Sequence, residues 1–204
     1  MPETKPQAPR NAAPQFLDGQ CLIAMPGMSD PRFEKSVIFM CAHSAQGAMG
    51  LVVNHPMTNV SFELLLSQLN IDAGEEKVEA APGSDIQICI GGPVESGRGF
   101  VLHSADYHSD DNTLSVDEDT SLTATIEILR AIAGGGGPER ALLALGYSGW
   151  SAGQLEQEIN RNGWLTCPAD SELLFETPAE DKYAQALAKL GVDEAFLSSE
   201  AGRA

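Results

Sequence analysis

Positive charge is scarce in this chain. Its 204 residues include 12 Lys and Arg against 29 Asp and Glu, a formal net charge of −17, and no run of basic residues occurs anywhere. Non-specific binding to nucleic acid depends on exchanging condensed counterions for Lys and Arg, so direct phosphate-backbone binding is disfavoured. Long apolar runs are missing too. The longest, such as Val37 to Ala42, have strand length and fall far short of the ~20 residues that span a bilayer. The first fifteen residues, MPETKPQAPRNAAPQ, are proline-rich and lack the apolar centre of a signal peptide, which reads as a disordered tail on a cytoplasmic protein. Cys21, Cys41, Cys89 and Cys167 are scattered without a C-x-x-C, each in or beside a strand-like stretch, as expected of reduced thiols packed as small hydrophobes. The aspartates between Asp106 and Asp119 lack the glycine and spacing of a calcium loop and read as a solvated face. No internal repeat is visible.

What remains is enough for one domain with a sizeable core, placed at residues 16–204 behind the tail at 1–15. Strands are expected at Gln20 to Met25, Ser36 to Ala42 and Met49 to Asn54, the last two as a hairpin. Ser61 caps a helix over Phe62 to Leu69. An acidic linker from Asp72 to Asp85 leads to strands at Ile86 to Ile90 and Gly99 to Ser104, expected as neighbours, and to a short strand at Thr113 to Val116. A helix spans Thr123 to Ala133 and stops at Gly134 to Gly137. Near the C-terminus, strands are expected at Trp164 to Cys167 and Glu172 to Phe175. A second capping box, Thr177-Pro178-Ala179-Glu180, then opens a helix ended by Gly191.

The organising stretch is Ala141 to Trp164. It reads as a buried strand (Leu142 to Leu145), a glycine-bounded aromatic turn (Gly146 to Trp150), and a helix with Ser151 as N-cap and Gln154 completing a capping box. Gly163 suits the left-handed position after that helix. Hairpins interleaved with helices argue against a doubly wound parallel sheet. The expected fold class is mixed α/β (α+β), a single compact domain with a curved or partly closed mixed β-sheet and peripheral helices.

Several pieces together resemble the AlgH/YqgE family of bacterial proteins: Pro26-Gly27-Met28, Ser36-Val37 with His43, Gly50 to Asn54, Gly91 to Val94, Gly99 to His103, Leu145 to Trp150, Gly153 to Glu156, and the ending from Leu197 to Ala204. The resemblance runs from about Phe16 to the C-terminus and implies a compact mixed α/β fold in the bacterial cytosol, without an established activity. Some members carry the label of transcriptional regulator, which names no DNA-binding motif. Arg203 departs from the His that members often have there, which weakens any role for the C-terminal residues.

Three motifs invite chemistry. Gly146-Tyr147-Ser148-Gly149-Trp150 approximates a nucleophile elbow, but Trp150 stands where the sharp turn needs glycine, and family members often have Ala at the position of Ser148. Gly91-Gly92-Pro93-Val94-Glu95-Ser96-Gly97-Arg98-Gly99 suggests a phosphate loop with Arg98 as counter-charge. Against that, Pro93 removes an N–H, Glu95 repels anions, and a strand follows instead of a helix. His43, His55 and His103 stand at strand ends and would form a polar pocket, or less readily a metal site, only by converging in three dimensions.

No catalytic residue, metal ligand or cofactor is assigned, and the chain is read as leaning away from an enzyme. The favoured function is a cytoplasmic protein acting through a protein partner, with a role in gene regulation as the family label implies. The alternative is a small-ligand or nucleotide-binding protein, or a cryptic enzyme. Its candidate pocket comprises Asn54, Gly91, Gly92, Pro93, Arg98, His103, Tyr147, Trp150 and Gln154.

Overall fold

A computed structural model describes residues 16–28, 30–71, 86–109, 112–194 and 197. The expected tail, the acidic linker and Arg203 lie outside the described residues. Nine strands are present among these: β1 (Gln20–Ala24), β2 (Val37–Ser44), β3 (Gly47–Val52), β4 (Gln87–Ile90), β5 (Val94–Ser104), β6 (Thr113–Ser115), β7 (Thr120–Thr123), β8 (Ala141–Ser151) and β9 (Trp164–Pro168). They hydrogen-bond in the order β6-β7-β5-β8-β3-β2-β1-β9, with β4 as a branch paired to β8. Every pairing in the main path is antiparallel, and only β4 runs parallel to its neighbour. Helices α1 (Phe62–Gln68), α2 (Ile126–Ala133), α3 (Gln154–Asn160) and α4 (Ala179–Lys189) lie around this sheet. This is the expected mixed α/β class, with the sheet curled into a half-barrel.

Alternation along the strands sends apolar side chains to both faces, and each face is covered. The inside of the curl holds Ile23, Phe39, Leu51, Leu102 and Leu142 against Tyr183, Ala186 and Leu187 of α4. Outside, α1 and α2 pack Phe62, Leu66, Ile128 and Ile132 onto Ile88, Val101 and Leu143. A second outer cluster joins Leu22, Ile38, Met40 and Val52 to Leu155 of α3 and to Trp150 and Trp164.

Local signals are obeyed where they concern one element. Ser61 Oγ accepts from Leu64 N at 3.1 Å and caps α1. The β2–β3 hairpin closes through Ala45 and Gln46. Other expectations are corrected. The segment Gly146 to Trp150 is no turn: β8 runs unbroken through it, because Ser148 to Ser151 pair with Gly50 to Gly47 of β3. The helix after it begins at Gln154, with Gly153 as N-cap. Only half of the capping box forms, the Gln154 side chain accepting from Ser151 N at 3.0 Å. That helix ends in a Schellman arrangement, Gly163 N donating to Glu158 O and Asn162 N to Ile159 O, with Asn162 rather than Gly163 at positive φ. Glu172–Glu176 is a π-helical turn, not a strand, and Thr177 donates to Glu172 O instead of capping α4. Strand β7 is additional to the expected elements. β4 and β5 do not pair with each other, since each takes an edge of β8.

Candidate functional site

One edge of β8 changes partner along its length. Leu142 to Leu145 pair with β4, and Ser148 to Ser151 pair with β3. At the changeover the glycines of the two tempting motifs cross backbone to backbone. Gly91 N donates to Leu145 O at 2.8 Å, and Gly91 O accepts from Val52 N at 2.8 Å. A Cβ on Gly92 would stand 2.2 Å from the carbonyl carbon of Tyr147, and one on Gly146 2.5 Å from Gly92 O. The two segments therefore touch, and no cleft separates them. Gly91 N is committed to the sheet and is not offered to an anion. Ser148 is buried, its hydroxyl directed at Gly91 O across 3.4 Å, which is no posture for a nucleophile.

The concavity lies beside this crossing. An open groove of ≈ 660 Å³ runs over β3, β8 and β5, with Met49, Phe100, Tyr147 and Gly149 as its apolar lining and Glu95 and Arg98 among its polar residues. Its shape comes from a break in register: β5 advances from Val94 to Gly99 while β8 moves only from Tyr147 to Leu145. The surplus residues bulge outward, with Glu95 at φ 47 in the left-handed region, and form a wall of the groove. Arg98 reaches Glu95 at 3.1 Å and lies over the Phe100 ring at 5.1 Å, while Phe100 meets Tyr147 edge to face at 5.7 Å. The groove thus presents an aromatic floor, a polarisable Met49 and one guanidinium already paired to a carboxylate. A smaller hollow of ≈ 190 Å³ opens between α1, α2 and the sheet, lined by Leu65, Leu69, Leu129 and Leu143.

The structure does not gather all nine candidate residues. Arg98, Tyr147 and Trp150 line the groove, Trp150 with its indole N–H donating instead to Glu158 at 2.9 Å. Gly91 and Gly92 are buried at the crossing, and Pro93 carries the chain from it into β5. Asn54 clasps the β2–β3 ends, accepting from Val37 N and donating to Lys35 O, both at 2.8 Å. Gln154 donates to Glu158 at 3.0 Å. His103 is fully buried, its Nδ1 against Ser104 O at 2.8 Å and its Nε2 against Thr123 Oγ1 at 3.0 Å. Burial pushes the His103 pKa down, against the opposing pull of the Ser104 carbonyl and Asp106.

The other histidines sit in separate networks. His43 accepts from Leu17 N at Nδ1, 3.1 Å, which leaves Nε2–H to donate to Glu156 at 3.0 Å. His55 Nε2 meets Glu34 O at 3.2 Å and Ser36 Oγ at 3.4 Å. Convergence of the three does not occur, and among the described residues no group of three or more His, Cys, Asp or Glu is placed to hold a metal ion. Met49, Phe100 and Gly149 were not legible as lining because their adjacency follows from strand register. Alternation in each strand gives only their shared face.

Among the described residues no helix is long and apolar enough to cross a membrane. The chain matches the AlgH-like family, DUF179, over residues 21–195. It is 56% identical over 190 residues to a UPF0301 protein of Methylocella silvestris, covering 93% of this chain and 92% of that protein. To a UPF0301 protein of Bradyrhizobium diazoefficiens it is 52% identical over 202 residues, 98% of this chain and 94% of the other. The solution structure of the AlgH protein from Pseudomonas aeruginosa superposes with a TM-score of 0.72 at 42% identity, over 96% of this chain and all of that one. A crystal structure from Corynebacterium diphtheriae, 21% identical with a TM-score of 0.62 over 88% of each chain, shares the fold. The chain belongs to the AlgH-like family.

Proposed function

We propose that this chain is a non-enzymatic bacterial protein of the cytosol that uses the groove over β3, β5 and β8 to dock a segment of a protein partner, with gene regulation as the process it serves. The observation that carries the reading is the form of the groove: open, floored by Phe100 and Tyr147 and lined by Met49, with its one arginine paired to Glu95. Half-buried Tyr147 and Met49 over a buried Phe100 offer aromatic and thioether surface of the kind enriched at protein interfaces. The charge of −17 favours a basic partner, whose approach it steers. It disfavours direct nucleic-acid binding.

The test places a photo-crosslinking amino acid at Ser44, an exposed residue on the groove margin, and irradiates living cells. The expected result is one dominant protein adduct that disappears when Met49→Lys and Arg98→Glu are introduced together. Adducts unchanged by those substitutions would overturn the reading. So would tight, sequence-specific DNA binding by the purified protein at ~150 mM salt, where phosphate contacts are already heavily weakened.

A second reading rests on the stack of Arg98 over Phe100 beside Tyr147, an arrangement suited to a planar anionic ligand such as a nucleotide. A nucleotide at ~100 times its dissociation constant adds ~2.7 kcal/mol to stability, so a thermal-shift screen separates the two readings.

A further inference from the structure

We propose that Cys21 and Cys167 form a dithiol redox site, two facing thiols on β1 and the edge strand β9 that close to a disulfide when a hydroperoxide oxidises them. The two are register partners in the antiparallel β1–β9 ladder, Cys21 directly opposite Cys167. Opposed residues in such a ladder share a face and hold their Cα atoms ~4.5 or ~5.5 Å apart, inside the span a disulfide bridges without backbone movement. Both side chains are fully buried on the inner face of the curl.

The other two cysteines are disposed differently. Cys41 Sγ points to Phe39 O at 3.7 Å and Cys89 Sγ to Val53 O at 3.6 Å, each to a main-chain carbonyl. Lys182 of α4 acts electrostatically on Cys21 and on Cys89 alike, whereas Lys189 of the same helix acts on Cys167, with Asp170 opposing at both Cys21 and Cys167. Cys167 lies on the edge strand β9 and Cys21 one strand further in, so Cys167 is the attacking sulfur.

The chemistry balances with one equivalent of hydroperoxide. The Cys167 thiolate attacks the terminal peroxide oxygen; the S–O bond forms, the O–O bond breaks, and the departing hydroxide, or alkoxide from an organic hydroperoxide, takes up the proton Cys167 released. The Cys21 sulfur, giving up its own proton, then attacks the sulfenic sulfur of Cys167; the S–S bond forms, the S–O bond breaks, and water leaves. Two thiols lose two electrons and the peroxide gains them. Strand β9 has β1 as its sole ladder partner among the described residues, and opening of so short an edge strand is the route by which peroxide reaches the sulfurs. In a reducing compartment the site rests as the dithiol, and a disulfide formed there is a transient, sensing one. The site lies two and three strands beyond β3, on β1 and β9, and stands independently of the groove.

The experiment treats the reduced full-length protein with hydrogen peroxide, blocks remaining thiols with N-ethylmaleimide, and reads intact mass and a non-reducing peptide map. The expected product is monomeric, ~2 Da lighter before alkylation because two thiol hydrogens are gone, with the Cys21 and Cys167 peptides joined and dithiothreitol restoring both thiols. The joined peptide persists in Cys41→Ser and Cys89→Ser and is absent from Cys21→Ser and Cys167→Ser. Should a variant fail to fold, the map of the unaltered chain decides alone. A link through Cys41 or Cys89, an intermolecular disulfide, oxygen addition without a bridge, or no reaction of the folded chain would each overturn the proposal.

Discussion

Trp150 and Trp164 aim their indole N–H groups at the same oxygen, Glu158 Oε2, from 2.9 and 2.8 Å. Their rings meet edge to face at 6.0 Å, and both are buried against α3. Glu158 therefore ties the end of β8 to the start of β9 through a helix that follows one strand and precedes the other. A buried donor left without its acceptor costs ~1 to 3 kcal/mol, so Glu158→Leu, which strands two indoles, should lower unfolding stability by ~2 kcal/mol or more. Glu158→Gln keeps an acceptor and should cost about half as much. Urea denaturation followed by tryptophan fluorescence measures both, and equal losses for the two variants would refute the shared-acceptor account.

The glycine crossing makes a sharper contrast. Gly92→Ala sets a Cβ 2.2 Å from Tyr147 main chain, where no side chain can yield, whereas a Cβ at Gly97 meets nothing within 4 Å. Gly92→Ala should lose ~3 kcal/mol or fail to yield folded protein, while Gly97→Ala should stay within ~0.5 kcal/mol of the parent. A tolerated Gly92→Ala would mean that the Gly91–Gly92 segment does not cross β8 as described.

How far the sequence foretold these features depends on the range of the forces involved. The cap at Ser61, the β2–β3 hairpin and the stop at Gly191 are decided within a few residues and are readable from them. Gly146 to Trp150 misled because glycines and an aromatic pair are turn chemistry locally, while β3 supplies hydrogen bonds that keep the segment extended. The short β7, Thr120 to Thr123, gave no apolar alternation to detect; it is a buried strand whose Thr123 hydroxyl answers His103 and Thr113. The candidate set was legible only in part. Arg98, Tyr147 and Trp150 meet the groove, but His103 and Asn54 were drawn in by residue type, and their side chains serve hydrogen bonds that no spacing reveals.

His103 supplies a pH dependence with a definite sign. Burial depresses its folded-state pKa below the unfolded value of ~6.5, so between the two the unfolded chain binds more protons. Its contribution to stability is complete above ~6.5 and is lost as pH falls through the folded pKa. His55, also depressed by burial, adds a loss of the same sign. The midpoint of urea unfolding should therefore fall between pH 7.5 and pH 5, and fall less steeply in His103→Gln. Parallel pH profiles for the two proteins would assign the acid sensitivity elsewhere.

Lys182 runs the same logic at the alkaline end. Its ammonium is fully buried, donates to Leu174 O at 2.5 Å, and has its pKa pushed down to about 8 by desolvation. The unfolded lysine titrates near ~10.4, so from about 8 upward the unfolded chain holds a proton the folded chain has released, and stability from this group rises with pH. At pH 7 the folded core carries the charge at a desolvation cost that a thioether does not have. Lys182→Met matches the length of the buried stem and removes the charge. The decisive comparison is the slope between pH 8 and pH 9.5: stability rises in the parent by an amount missing from Lys182→Met. Identical slopes would show that Lys182 does not titrate in the folded core over that range.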